Sequence, residues 1–148
     1  MAIRASRNTI LLKGYLHQRH EEAVAASTIS PGMLLELTTT NTIQGHTTAV
    51  GRAERLVAKE DSLQGNTVDS TYAAGDIVLY HILQSGNVFL GLFVIGVAYA
   101  IGDLITSNGN GLFKKSAAPA TDFILGRIME AKDLTAAAVP DLVVCRSN

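Results

Sequence analysis

The chain has no tryptophan, one cysteine and three prolines among 148 residues. With Cys145 as the single cysteine, no intramolecular disulfide can form, so the fold rests on packing and hydrogen bonding. Charged residues make up 17% of the chain, against roughly 25% in an ordinary soluble domain. A surface with so little charge carries uncharged or apolar area, and such area usually meets a partner. Neither sign dominates: 12 basic and 13 acidic residues leave a net charge of −1. The longest basic run is Lys114-Lys115. Nucleic acid is therefore not an expected partner, since its binding draws mainly on clustered Lys and Arg. Long apolar runs are also missing. The purely apolar stretch 88–101 falls short of the roughly 20 residues of a spanning helix. It carries Gly91 and Gly96 and is rich in Val, Ile, Phe and Tyr, so it reads as one or two strands buried on both faces, and no membrane partner is expected. The start, Met1-Ala-Ile-Arg-Ala-Ser-Arg-Asn8, has charge but no long apolar core, so it does not read as a signal peptide.

What the sequence does contain is turn grammar. Tyr72-Ala73-Ala74-Gly75-Asp76-Ile77-Val78 returns as Tyr99-Ala100-Ile101-Gly102-Asp103-Leu104-Ile105, with a Gly/Asn turn after each: Gly86-Asn87, then Asn108-Gly109-Asn110-Gly111. Gly allows positive φ, and Asp or Asn hydrogen-bonds locally to the turn backbone. The repeat reads as one strand-turn-strand unit used twice. Around it lie strand-like runs at 33–37, 53–59, 112–115, 123–131 and 142–145, a Thr-rich loop or β-edge at 38–48, and a loop at 60–69 with room for one helical turn. About eight to ten closely spaced strands point to an all-β fold, a small barrel or sandwich built of hairpins. Residues 1–28 look different. Thr9-Ile10-Leu11-Leu12 is a candidate short strand, and the polar 16–26 is either a short helix or extended chain. The expected organisation is an extended or partly helical N-terminal arm, 1–28, followed by a barrel or sandwich, 29–148.

The candidate chemistry is thin. His17 and His20 are three apart, a spacing that on a helix can hold zinc, but the pattern is not His-Glu-x-x-His, and a polar, solvated arm is the preferred reading of the same residues. His46 and His81 have no spaced partner. Asp76 and Asp103 are imaginable as paired carboxylates, but their shared place in a repeated turn marks them as turn caps. Glu60, Asp61 and Asp69 do not follow a calcium-loop spacing. Cys145 reads as a small buried hydrophobe of the last strand. The Asn108-Gly109-Asn110-Gly111 segment is a hairpin tip rather than a phosphate cradle. No catalytic, cofactor-binding or metal-binding residues are assigned, and no enzyme is expected. A small hydrolase using His17, His20 or Cys145 is the weakest alternative; a barrel module binding glycans through the 38–48 loop is the stronger one.

Arg52-Ala53-Glu54-Arg55-Leu56-Val57-Ala58-Lys59-Glu60-Asp61-Ser62-Leu63-Gln64-Gly65, followed by Thr67-Val68-Asp69 and Tyr72-Ala73-Ala74-Gly75-Asp76, resembles the decoration (cement) proteins of tailed-bacteriophage heads. The similarity continues through Tyr99-Ala100-Ile101-Gly102-Asp103, the 108–111 turn and Phe123-Ile124-Leu125-Gly126-Arg127-Ile128-Met129-Glu130-Ala131, from about residue 50 to the end. The resemblance implies a virion protein on the outer capsid surface, a homotrimer that bridges and stabilises major capsid protein subunits. Its expected contacts are the arm, roughly Ala2 to Glu22, and the loop from Glu60 to Asp69.

Overall fold

The structure, a computed structural model, describes residues 9–14 and 19–148. In chain order the strands are β1 (Leu11–Lys13), β2 (His20–Ala25), β3 (Leu34–Leu37), β4 (Thr42–Gly45), β5 (Leu56–Ala58), β6 (Ile77–Ile82), β7 (Val88–Phe93), β8 (Ala98–Tyr99), β9 (Leu104–Ser107), β10 (Phe113–Lys115), β11 (Gly126–Ile128), β12 (Lys132–Asp133) and β13 (Asp141–Ser147), with one 3-10 turn at Ser62–Gln64. The fold is all-β. Among the described residues no helix is long and apolar enough to cross a membrane.

The strands close into two rings. The first barrel runs β2-β4-β3-β5-β6 and back to β2. In the second, β7, β10, β9, β11 and β13 pair in sequence, and β13 returns to β7 over six residue pairs. β1 lies antiparallel on the same edge of β7 that β10 uses further along. Only the first and third strands of each ring are parallel, β2 with β4 and β7 with β10; every other pairing is antiparallel.

The two rings are copies of one topology, in matching register. Leu35 pairs with Gly45 and with Leu56; 70 residues on, Ile105 pairs with Lys115 and with Gly126. The first strands correspond at an offset of 68 (Ala25 to Phe93) and the last at 65 (Ile77 to Leu142). Loops obey the same offsets. The bond from Gly32 N–H to Ala58 O recurs from Gly102 N–H to Ile128 O, both 2.9 Å, and Ala58 N–H to Met33 O recurs as Ile128 N–H to Asp103 O. The Ile29↔Tyr72 bridge stands where β8 pairs with β12.

This duplication corrects the repeat read from the sequence. The turn at 73–76 opens the fifth strand of the first barrel, and that at 100–103 opens the second strand of the second barrel. They are one turn type at non-equivalent places. The true counterpart of 100–103 is Ser30-Pro31-Gly32-Met33, closed by Met33 N–H to Ser30 O and carrying Gly32 at φ 91°, as Gly102 is at 92°. A positive φ at the third turn position requires glycine in both. The N-terminal boundary also differs from expectation. Residues 20–25, expected in an arm, are β2 and complete the first barrel, while residues 11–13 are β1 of the second sheet. β2 alternates exposed and covered residues, the period of a strand with one face inward.

Each barrel holds its own core. The first packs Ala25, Ile29, Leu35, Ile43, Leu56, Ala58, Tyr72, Val78 and Tyr80. The second is built on rings: Phe93 lies 4.9 Å from Tyr99 edge-on and 5.5 Å from Phe113, which lies 5.7 Å from Phe89. Gly91 makes that stack possible, since a Cβ there would stand 3.0 Å from the Phe113 ring. Cys145 occupies the second core at the place Tyr80 takes in the first. Neighbouring residues of β3 and β5 point opposite ways and both are buried: Leu35, Leu56 and Ala58 into the first core, Leu34 and Val57 into the second cluster. These two strands are a wall shared by both cores.

Phe113→Ala should cost about 3–5 kcal/mol, because it deletes the middle ring of the stack and leaves a cavity. Urea unfolding measures it. A midpoint close to the parent's would show that the ring stack does not hold the second barrel.

Candidate interaction surface

The chemistry-bearing side chains do not converge. His17 lies outside the described residues. His20 sits exposed on β2, directly across from His81 on β6. Cys145 is in the other barrel, fully buried, its thiol within 3.3 Å of Val143 O. Burial pushes its pKa well up, away from the thiolate a nucleophile needs. Among the described residues no three His, Cys, Asp or Glu stand close enough to hold a metal ion. Asp76 and Asp103 are turn caps: Oδ2 accepts the Ala73 N–H at 2.8 Å in one and the Ala100 N–H at 2.9 Å in the other. Partial burial of Asp103 opposes ionisation, but that N–H and the Lys115 ammonium at 3.0 Å outweigh it and hold the carboxyl below its ordinary range.

The loop expected to make contacts divides in two. Glu60 is buried, and its carboxylate accepts the Ile10 N–H at 2.9 Å, which ties the segment before β1 to the first barrel. Beyond it the 3-10 turn, stopped by Gly65 at φ 72°, leaves Leu63 83% exposed.

Two histidines carry structure that sequence spacing did not show. His46 is buried between the barrels. Its Nε2 lies 3.0 Å from the Arg52 carbonyl, which can only accept, so Nε2 carries a proton; Nδ1 faces the Ser107 hydroxyl at 2.7 Å. His81 is buried, and among the described residues neither ring nitrogen has a hydrogen-bond partner. Burial holds its pKa down to about 4; nearby Glu60 opposes this, while Lys59 and His20 add to it. The folded state thus disfavours a protonated His81. Its ring is neutral in both states above about pH 6.5, and stability is lost as pH falls from there toward about 4, where only the unfolded chain takes up the proton.

Apart from Leu63, the exposed large apolar residues fall into two groups. Val24, Leu37 and Ile77 are 39%, 45% and 52% exposed at the mouth of the first barrel. Two adjoining grooves of about 340 and 330 Å³ open there, sharing Glu21, Leu37 and Tyr80. Tyr80 donates its hydroxyl to Glu21 at 3.2 Å, and Arg19 pairs with Glu21 at 2.6 Å. In the second barrel Phe89 stands in the place of Glu21, so that interior is closed by a ring where the first is left open. Ile95, Ile101 and Val139 are exposed in the loops flanking β8 and β12, at the far end of the second barrel.

No protein-family model matches the chain, and no curated protein matches its sequence. Among solved structures, the chain is similar to the N base of head fiber gp8.5 from bacteriophage phi29, with a TM-score of 0.58 and 14% identity, over 88% of this chain and 94% of that one. The protein shares its fold with a phage head protein. At that identity the likeness speaks to architecture, and it extends across both barrels.

His81→Phe should flatten the pH dependence of stability between about pH 6.5 and 4, a term of up to about 3 kcal/mol at the acid end. Urea midpoints of parent and variant across that range test it. Parallel pH profiles would show that the buried ring is not what titrates.

Proposed function

We propose that the chain is a structural protein of a phage virion, a capsid-stabilising homotrimer that sits on the outer shell and bridges major capsid protein subunits. The observation that carries this reading is the fold shared with a phage head fiber base along nearly the full length of both chains. The decoration-protein resemblance from about residue 50 onward points the same way. So does a surface short of charge that exposes two groups of apolar residues and Leu63. The role is architectural rather than catalytic: Cys145 is a core residue and His20 stands in the other barrel. Neither a cofactor nor nucleic acid is required. Bridging works through multivalency. A trimer brings six barrels to one site, so weak single contacts combine through effective concentration.

The barrel geometry changes how an arm contact must be tested. Deleting residues 2–22 would remove β1 and half of β2 and so break both sheets, whereas deleting residues 2–8 ends before the first described strand. The 2–8 deletion is expected to keep the parent's thermal midpoint and to weaken co-sedimentation with emptied heads of the matching phage about tenfold. Unchanged affinity would remove the segment from the contact. Failure of the full chain to co-sediment at all would sink the capsid reading.

A further inference from the structure

The duplication makes it possible to ask what the second barrel's mouth does that the first barrel's does not. At the second barrel the mouth is occupied: the first barrel is docked on it. Gly32 O accepts the Leu92 N–H at 2.9 Å, Val50 N–H reaches Ser107 O at 2.9 Å, and Phe123 N–H reaches Val50 O at 3.0 Å. A Cβ on Gly32 would stand 2.5 Å from the Leu142 side chain. At the strand offsets of 65–70, the receiving residues Leu92, Ser107, Phe123 and Leu142 become Val24, Leu37, Ala53 and Ile77 in the first barrel. These four line the open grooves, and three of them are the large exposed hydrophobics of that end. The β2 edge is open there too. β7 receives β1 at Val88 and Phe89 and donates Leu90 N–H to Ile10 O, but pairing of β2 with β4 starts only at Val24, and among the described residues no strand lies on that edge of β2 from 20 to 23.

The inserting side has its counterpart as well. Gly32 and Val50 become Gly102 and Ala120 at the far end of the second barrel. Gly102 keeps the turn and the positive φ of Gly32, yet a Cβ there would meet nothing within 4 Å. Beside it Ile101 is 69% exposed. One molecule therefore presents both halves of a junction whose internal version is already formed.

We propose that the open mouth of the first barrel receives the free end of the second barrel of another copy, repeating between molecules the junction that joins the barrels within each chain. The contact is head-to-tail, with Gly102 against Val24 and Ile77 and Ala120 against Leu37. Lys115 stands where the internal junction has Gly45, so the intermolecular junction is set wider. A head-to-tail interface either closes into a ring or grows as an open chain. The proposed trimer is the closed case, and on this point the inference deepens the capsid reading by saying how the trimer forms.

The test is the full chain carrying Leu37→Cys and Ala120→Cys. The equivalent internal pair, Ser107 and Val50, shares a backbone hydrogen bond, which puts Cα atoms roughly 5 Å apart, within disulfide reach of about 4.4–6.8 Å. Oxidation, or a short bismaleimide to span a wider gap, is expected to give a ladder of covalent dimers and trimers. Each single variant should stop at dimers at most. Ile77→Glu with Val24→Glu, both at exposed positions, is expected to keep the thermal midpoint and to reduce the light-scattering mass to that of one chain. A monomeric parent chain, or an oligomer that neither crosslinks at this pair nor dissociates on the charge change, overturns the proposal. Shell binding without the ladder would sink this inference alone; a ladder without shell binding would sink the capsid reading alone.

Discussion

The structure depends on a wall of two short strands that faces two cores at once. β5 is three residues long and every one is buried: Leu56 and Ala58 inward, Val57 outward. Leu34 and Leu35 divide in the same way on β3. In an isolated barrel of this size one side of each strand would face water, and Val57 and Leu34 would contribute nothing. Here their burial is what joins the barrels, at about 1.5–3 kcal/mol for each large apolar side chain. The same arrangement explains why β5 is uniformly apolar where an antiparallel strand with one wet face would alternate.

Given that wall, the differences between the two copies have physical reasons. The second barrel, closed by its neighbour, fills its interior with Phe89, Phe93 and Phe113 and uses glycine at 91 and 126 to admit the rings and the close approach of β13. The first barrel, open at its mouth, places Glu21 and Tyr80 at the corresponding level and holds them with Arg19. A carboxylate at the place of Phe89 is tolerable only where water reaches it. His46, between the barrels, has both ring nitrogens engaged, as a buried polar group in a junction must.

Many of the strands were legible in the sequence as short apolar runs between turn-forming residues, whereas the polar β2, β4 and β12 were not. Met33-Leu34-Leu35-Glu36-Leu37, Leu56-Val57-Ala58 and Leu142-Val143-Val144-Cys145 all fall where the alternation and turn residues put them. The ring order was not legible, and the duplication was hidden by a false period. The Tyr-Ala-x-Gly-Asp likeness joins two turns 27 residues apart because any strand opened by a glycine turn draws on the same few residues. The real offsets of 65–70 preserve few identities, among them Gly32 with Gly102, Leu34 with Leu104, Glu60 with Glu130, Asp76 with Asp141 and Val78 with Val143. Hydrogen-bond register survives substitutions that erase sequence similarity, since it needs only backbone and an apolar inward face. Residues 20–25 were misplaced for a related reason: His-Glu-Glu-Ala-Val-Ala has small or charged residues on its inward positions, the composition that an open barrel mouth permits and a closed core would not.

Closure of both rings also bears on how such a chain can work at high local density. Identical copies crowded on one surface would risk pairing through exposed strand edges. Ring closure removes nearly all of those edges here, and β1 covers part of the edge of β7 that β10 leaves free. Among the described residues the edges left open are short: the outer side of β1, the β8–β12 pair and β2 from 20 to 23 beside the apolar mouth, while the turn at Gly102 has nothing packed against it. In the proposed junction the mouth and the Gly102 turn would occupy each other, and crowding would then favour that head-to-tail contact over pairing at random edges.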